Sequence, residues 1–363
     1  MIKNLDLALK DTRHPGLQEL RQLLEKLLTK RGTTVKFLEE QCFQSHHARV
    51  YRLLFSSNGN PVSVIAKRLD PGIAHRNELV ITRWLPAVGM AGSGPILLGV
   101  AAERTGRCVW HVYGDLGDRV LDTRSPDRTR VKAAVDTIAQ VHARFAGHTL
   151  LPEVRLFGAD LGANFFTSSV HDATRSLELL RARITRKPSR YVGLCDRLLD
   201  HLYRLRDEQP WRLQAIAELG GAETMLHGDL WSTNTFVIPT EQGYATRLID
   251  WDHAAVGPVS YDLSTFLLRF PRHSRTWIFD LYCAAMKQAG WKMPSWREFN
   301  LLSEIFEYAR IANRIIWPSI SLMKDKGEWA FEMLEEIEHW FDDLRPVLPQ
   351  RFDMEKILTE TPA

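Results

Sequence analysis

Apolar residues in "LQELRQLLEKLLTK" recur at three- and four-residue intervals, which predicts an amphipathic helix near the start of the chain. The period then changes. "TTVKFLEEQCF", "ARVYRLLFSS" and "PVSVIAKRL" are short and rich in β-branched and aromatic residues, and the turn-prone "SSNGNP" parts the last two. They predict a three-stranded antiparallel meander. "AHRNELVITRWL" returns to helical spacing, and "GPILLGVAAERTGRCVWHVY" predicts two strands joined at "ERTGR". Residues 1–113 therefore form a small, mostly β region with one internal helix.

The Gly/Asp/Pro-rich "GDLGDRVLDTRSPD" connects it to residues 114–363, where the pattern is mostly helical. In "RTRVKAAVDTIAQVHARF" one face carries Val131, Val135, Ile138 and Val141. Further helices are predicted near 173–184, 191–207, 262–270, 276–289, 296–317 and 327–345. One segment breaks the helical texture: "TFVI" and "YATRLI" flank "PTEQG", the pattern of a hairpin. A hairpin returns the chain to its start, so Asn234 before it and Asp250 after it are expected side by side.

Composition narrows the class without naming a chemistry. A formal charge of +3 over 363 residues, with no Lys/Arg block, argues against nucleic acid. No run of about 18 apolar residues exists, and the first residues lack the apolar core of a signal peptide, so no membrane partner is expected. Cys42, Cys108, Cys195 and Cys283 form no C-x-x-C pair, which argues against metal clips and a disulfide framework and fits a cytoplasmic setting.

The chemistry concentrates in "LHGDLWSTNTF" and the hairpin that follows it. An amide and a carboxylate beside another carboxylate suit a hard cation such as Mg²⁺, which keeps several waters and bridges phosphate oxygens. Phosphoryl transfer to a hydroxyl needs that cation and a separate carboxylate to orient the hydroxyl and accept its proton. Asp229 is the candidate for that carboxylate, and Asn234 and Asp250 for the Mg²⁺ ligands. Lys67 ends the strand "VIAK" and Glu78 lies in the next predicted helix, the order in which a Glu-held Lys is aimed at nucleotide phosphates. His227 reads as a residue that fixes its loop, not as a proton carrier.

"HGDLWSTN" resembles the H-G-D-x-x-x-x-N catalytic loop of the aminoglycoside phosphotransferase and choline kinase-like small-molecule kinases, and "LIDWDHAAVGPVSYDL" resembles their metal-binding segment. "AQVHARF" is similar to a helix that precedes the catalytic loop in these families. The similarity spans about residues 35–315. It implies an α+β, bilobal protein kinase-like fold with a small β-rich N-lobe and a larger, mostly helical C-lobe. It also implies ATP or GTP with Mg²⁺ as cofactors, and a small-molecule alcohol (a sugar, amino alcohol or aminoglycoside-like metabolite) as acceptor. On that pattern Asp262 braces the catalytic loop. One departure stands out. The loop between the first two strands, "FQSHHARV", has no glycine to let the backbone approach phosphates, so Ser45, His46 and His47 must take that place or remain ordinary polar loop residues.

Other features stay open at this level. Asp252 is either a second metal or substrate contact or a loop carboxylate, and His253 a bystander. Trp231, Tyr308 and Trp317 are either substrate-stacking aromatics or core. Glu307, Arg310 and Arg314 share a helix face that is either solvated or the rim of an acceptor pocket. Two other functions compete: a nucleotide-binding pseudokinase, which the glycine-free loop favours, and a metal-dependent phosphoesterase built on His227, Asp229, Asp250, Asp252 and His253. The second leaves Lys67 and Glu78 without a purpose.

Overall fold

The computed structural model describes all residues except 1, 10–13, 30–32, 44–48, 185–188, 325–326, 328 and 350–363. In chain order the elements begin with helix α1 (Leu17–Leu28), strands β1 (Val35–Cys42), β2 (Val50–Ser57) and β3 (Asn60–Leu69), and helix α2 (Pro71–Leu79). A wider turn at Val80–Trp84 carries α2 into the short α3 (Leu85–Ala87), and strands β4 (Leu97–Ala102) and β5 (Val109–Gly114) follow. Next come α4 (Arg128–Phe145), α5 (Leu151–Phe157), α6 (Ala163–Arg183), α7 (Ser189–Leu219) and β6 (Thr224–Leu226). The hairpin is β7 (Thr235–Thr240) and β8 (Gly243–Leu248). The chain ends with β9 (Ala255–Gly257), α8 (Val259–Leu267), α9 (Arg272–Gln288), α10 (Trp296–Met323) and α11 (Trp329–Asp342).

These elements divide into two compact units, Met1–Leu121 with Ser232–Ala254, and Asp122–Trp231 with Ala255–Ala363. In the first, an antiparallel sheet runs β1-β2-β3-β5-β4. Tyr51, Leu53 and Phe55 of β2, Val64 and Ala66 of β3, and Trp110 and Val112 of β5 share its buried face with Leu20 and Leu24 of α1. Strand parity then decides where Lys67 goes. Being one residue beyond Ala66, it projects from the opposite face, directly across from His111 of β5. The β7–β8 hairpin belongs to this unit. It pairs Thr235 with Leu248 and is tied to the segment after β5 by Leu121 N–H to Thr235 O at 2.8 Å and Val237 N–H to Arg119 O at 2.9 Å.

The second unit is helical around a core drawn from α6, α7, α10 and α11, with Phe166, Leu177, Leu198, Phe306 and Leu334 fully buried. Caps set helix starts. The Asp127 carboxylate accepts the Arg130 N–H at 2.8 Å, and Ser295 with Glu298 forms a reciprocal capping box on α10. Three helices differ from the pattern reading. α6 starts at Ala163, and α7 and α10 run through Pro210 and Pro318. An internal proline removes one helical hydrogen bond at a cost of about 3 kcal/mol. On α10, burial of Pro318 among flanking core residues offsets that cost. β6 and β9 form a three-residue antiparallel pair, too short for periodicity to reveal.

Candidate active site

Within the β-rich unit the turn after β8 places two carboxylates on one ammonium. Lys67 Nζ donates to Asp250 Oδ1 at 2.6 Å and to Asp252 Oδ1 at 2.8 Å. Asp250 sits in the left-handed region at φ +64°, a conformation uncommon for a residue with a side chain. Asp252 is gripped from α2. Asn77 Nδ2 donates to Asp252 Oδ1 at 2.9 Å, and the Arg76 guanidinium donates to the Asp252 backbone carbonyl. Burial works against the Lys67 charge, but the two carboxylates outweigh it and hold its pKa above the ordinary lysine value. Burial raises the Asp252 pKa, Lys67 opposes the rise, and Asp250 adds to it.

Glu78 lies near this cluster but does not join it. Its carboxylate meets His111 Nε2 at 3.3 Å, and His111 Nδ1 meets the Tyr113 hydroxyl at 2.8 Å. The Lys67 ammonium is thus braced by Asn77 and Arg76 through Asp252, and not directly by Glu78. Nothing in the periodicity of "AHRNEL" distinguishes Asn77 from a surface amide. Its 1% exposure is what reveals its role. At the hairpin base, Ile249 N–H donates to Asn234 O at 2.9 Å, so the residues on either side of the hairpin converge. Ser45, His46 and His47 lie outside the described residues.

In the helical unit the loop after β6 carries His227, Gly228 and Asp229, and a buried carboxylate holds it. Asp262, at the start of α8 and fully buried, accepts the His227 N–H at 2.6 Å and the Gly228 N–H at 2.9 Å. Gly228 has φ +81°, a left-handed conformation that turns consecutive N–H groups toward one acceptor. His142 of α4 meets the same carboxylate at 3.3 Å through Nε2 and the Tyr282 hydroxyl at 2.7 Å through Nδ1. Burial alone would raise the Asp262 pKa. The contacts with His142 and with the His227 ring and N–H outweigh it and keep the carboxyl below its usual range. His227 is 2% exposed, and its Nδ1 accepts from the Asp229 N–H at 3.4 Å. Asp229 is partly exposed, and its carbonyl accepts the Trp231 N–H at 2.8 Å.

The arginines of this unit were not assigned by pattern. Arg310 is not on a solvated face. It is paired with Glu307 and donates to Tyr261 O at 2.5 Å and to Ser264 Oγ at 3.2 Å. Trp317 is 64% exposed and belongs to no core, whereas Tyr308 packs against the helical core.

The sequence model of the phosphotransferase enzyme family matches residues 44–299. The chain belongs to that family. No curated protein matches it. Among solved structures, a Plasmodium vivax ethanolamine kinase superposes with a TM-score of 0.56 at 12% identity, covering 94% of this chain and 93% of that one. A spectinomycin phosphotransferase, APH(9)-Ia, in complex with ADP and spectinomycin gives 0.52 at 13% identity, covering 91% and 95%. The GDP and kanamycin complex of APH(2")-IIia gives 0.50 at 12% identity, covering 90% and 99%. The α+β, bilobal kinase-like fold expected from the motifs is the fold this phosphotransferase has, with its β-rich and helical units as the two lobes. No helix among the described residues is long and apolar enough to cross a membrane.

Proposed function

We propose that this phosphotransferase moves the γ-phosphoryl group of ATP or GTP to a hydroxyl of a small molecule such as a sugar, an amino alcohol or an aminoglycoside-like metabolite. The acceptor oxygen forms a bond to Pγ, the bond from Pγ to the bridging oxygen breaks, and the nucleoside diphosphate leaves. Asp229 orients the hydroxyl and takes its proton. Lys67 faces the phosphates. Asp262 and His227 hold the Asp229 loop, while Glu78 acts on the Lys67 face through His111. The observation that carries the reading is the meeting of Lys67 and Asp250, which are 183 residues apart in sequence, at 2.6 Å. A strand Lys on the face opposite the core and a turn Asp held at that distance support a site that handles both charges.

The residues present fit Mg²⁺. Asn234 and Asp250 supply hard oxygens at the base of one hairpin, and Asp250 already faces a cation. Mg²⁺ keeps several waters and borrows phosphate oxygens, so two protein oxygens suffice to hold it. When bound, Mg²⁺ supplies charge neutralisation between the phosphates. The diversity of the structural neighbours, which act with ethanolamine, spectinomycin or kanamycin, supports an alcohol acceptor without selecting one.

Turnover with a panel of alcohols tests the reading. Asp229→Asn should lower kcat about 10²–10⁴-fold with little change in nucleotide KM, because its carboxylate acts on the acceptor proton. Undiminished kcat in that variant would remove Asp229 from its role. Phosphate release from simple esters without nucleotide would restore the phosphoesterase alternative.

A further inference from the structure

The acceptor side of the helical unit has more positive charge than its carboxylates account for. Arg269, just past α8, lays its guanidinium on the Trp231 ring of the catalytic loop, 3.9 Å from the centroid. Its Nε is buried without a hydrogen-bond partner, and no carboxylate among the described residues reaches it at ion-pair distance. Arg310, Arg314 and Arg275 act on it as cations, and Asp229 and Glu307 as anions. Glu307 is already committed to Arg310 and to the Ser264 hydroxyl at 3.4 Å. Arg314 stacks on Trp340 at 5.2 Å and is exposed. Burial, reinforced by Arg310 and Arg314, pulls the Arg269 pKa below its ordinary value even though Glu307 and Asp229 oppose the change. A guanidinium in that state lacks the oxyanion that its planar fork is shaped to bind.

We propose, resting on the kinase reading above, that the acceptor alcohol carries an oxyanion, a carboxylate or a phosphate ester, and that Arg269 with Arg314 binds it beside Trp231. Arg269 is a specificity-determining residue in this arrangement. Trp231 fixes the plane of its guanidinium, and Arg310 is occupied in holding the α8–α10 contact. A polycationic acceptor would meet Arg269 and Arg314 as like charges, and of the two nearby acids, Asp229 and Glu307, the latter is already paired.

Calorimetric titration of the full chain, saturated with Mg²⁺ and ADP so that added anions cannot occupy the phosphate site, tests this. The probes are glucose, glucosamine, gluconate, glucose 6-phosphate and kanamycin, with wild type, Arg269→Gln and Arg269→Lys. Gluconate or glucose 6-phosphate should bind at least about tenfold more tightly than glucose, and the better of the two identifies carboxylate or phosphate as the recognised group. Arg269→Gln should erase that preference, and Arg269→Lys should restore part of it. Glucose, glucosamine or kanamycin binding as tightly as the anions would overturn the proposal. So would anion binding indifferent to Arg269→Gln, or no anion binding at all. Failure of the kinase reading shows separately, as no heat from Mg²⁺ and ADP themselves.

Discussion

Asp250 and Asp262 lie close in sequence and in opposite chemical circumstances. Asp250 is 41% exposed, is held in a left-handed conformation, and faces the Lys67 ammonium. Asp262 is fully buried and accepts from two backbone N–H groups of the loop that carries Asp229, with His142 as a third neighbour. The first partnership is open to exchange, since water and an incoming ligand can compete for either charge. The second is closed, because a buried carboxylate with fixed donors has no other partner to turn to. On the proposed reading, one carboxylate binds a ligand that arrives, while the other already fixes its loop. Substitution should therefore read out as lost ligand response at Asp250 and as lost stability at Asp262.

The largest effect expected is kinetic. Asp229→Asn should cost two or more orders of magnitude in kcat, as set out above, with the folded state intact. Asp262→Ala comes next and should lower stability by about 3–5 kcal/mol, since it strands the His227 and Gly228 N–H groups and His142 in a dry interior. Chemical denaturation of the variant checks this. An unchanged midpoint would mean that the loop is held by something else. Asp250→Ala, measured in the same way, should change stability much less than Asp262→Ala. Reversal of that order would break the comparison.

A finer ordering separates Lys67's neighbours. Lys67→Met should reduce kcat/KM for nucleotide most, Asp252→Asn less, and Glu78→Gln least. Asp252 touches Lys67 directly, whereas Glu78 reaches the site through His111. Steady-state kinetics on the three variants measures it, and a Glu78→Gln defect equal to that of Lys67→Met would contradict the geometry. The smallest effect is in acid. The folded Asp262 carboxyl is held below its unfolded pKa, so its contribution to stability is present in full above the unfolded value of about 4 and is lost as pH falls through the lowered folded value. Wild type should lose stability on that descent, and Asp262→Asn should show a shallower loss.

The parts of this fold that local pattern can carry were legible. Alternation in "VYRLLF" places Tyr51, Leu53 and Phe55 on the core face, and "TFVI" and "YATRLI" around "PTEQG" give the hairpin directly. The motifs around Asp229 and Asp250 carried the resemblance to the phosphotransferase family, which the family model bears out. What was not legible depends on residues distant in sequence. Asn77 reads as a helix-surface amide until Asp252 is placed beside it, and Glu78 is drawn to His111 because β3 and β5 pair in the register that sets His111 across from Lys67. Arg269 and Trp231 come from separate segments, and only packing brings the guanidinium onto the ring. Pro318 reads as a helix end because the local cost of a proline is visible in sequence and the tertiary burial that offsets it is not.

The central claim is that the Lys67–Asp250 pair marks a nucleotide site that needs Mg²⁺. Thermal unfolding with ATP or GTP, with and without Mg²⁺, for wild type and Asp250→Ala tests it most directly. A ligand at a hundredfold excess over Kd that binds only the folded state stabilises it by about 2.7 kcal/mol. The account predicts a rise in Tm for wild type that requires Mg²⁺ and disappears in Asp250→Ala. No rise with either nucleotide at millimolar concentration, or an equal rise in the variant, would contradict it.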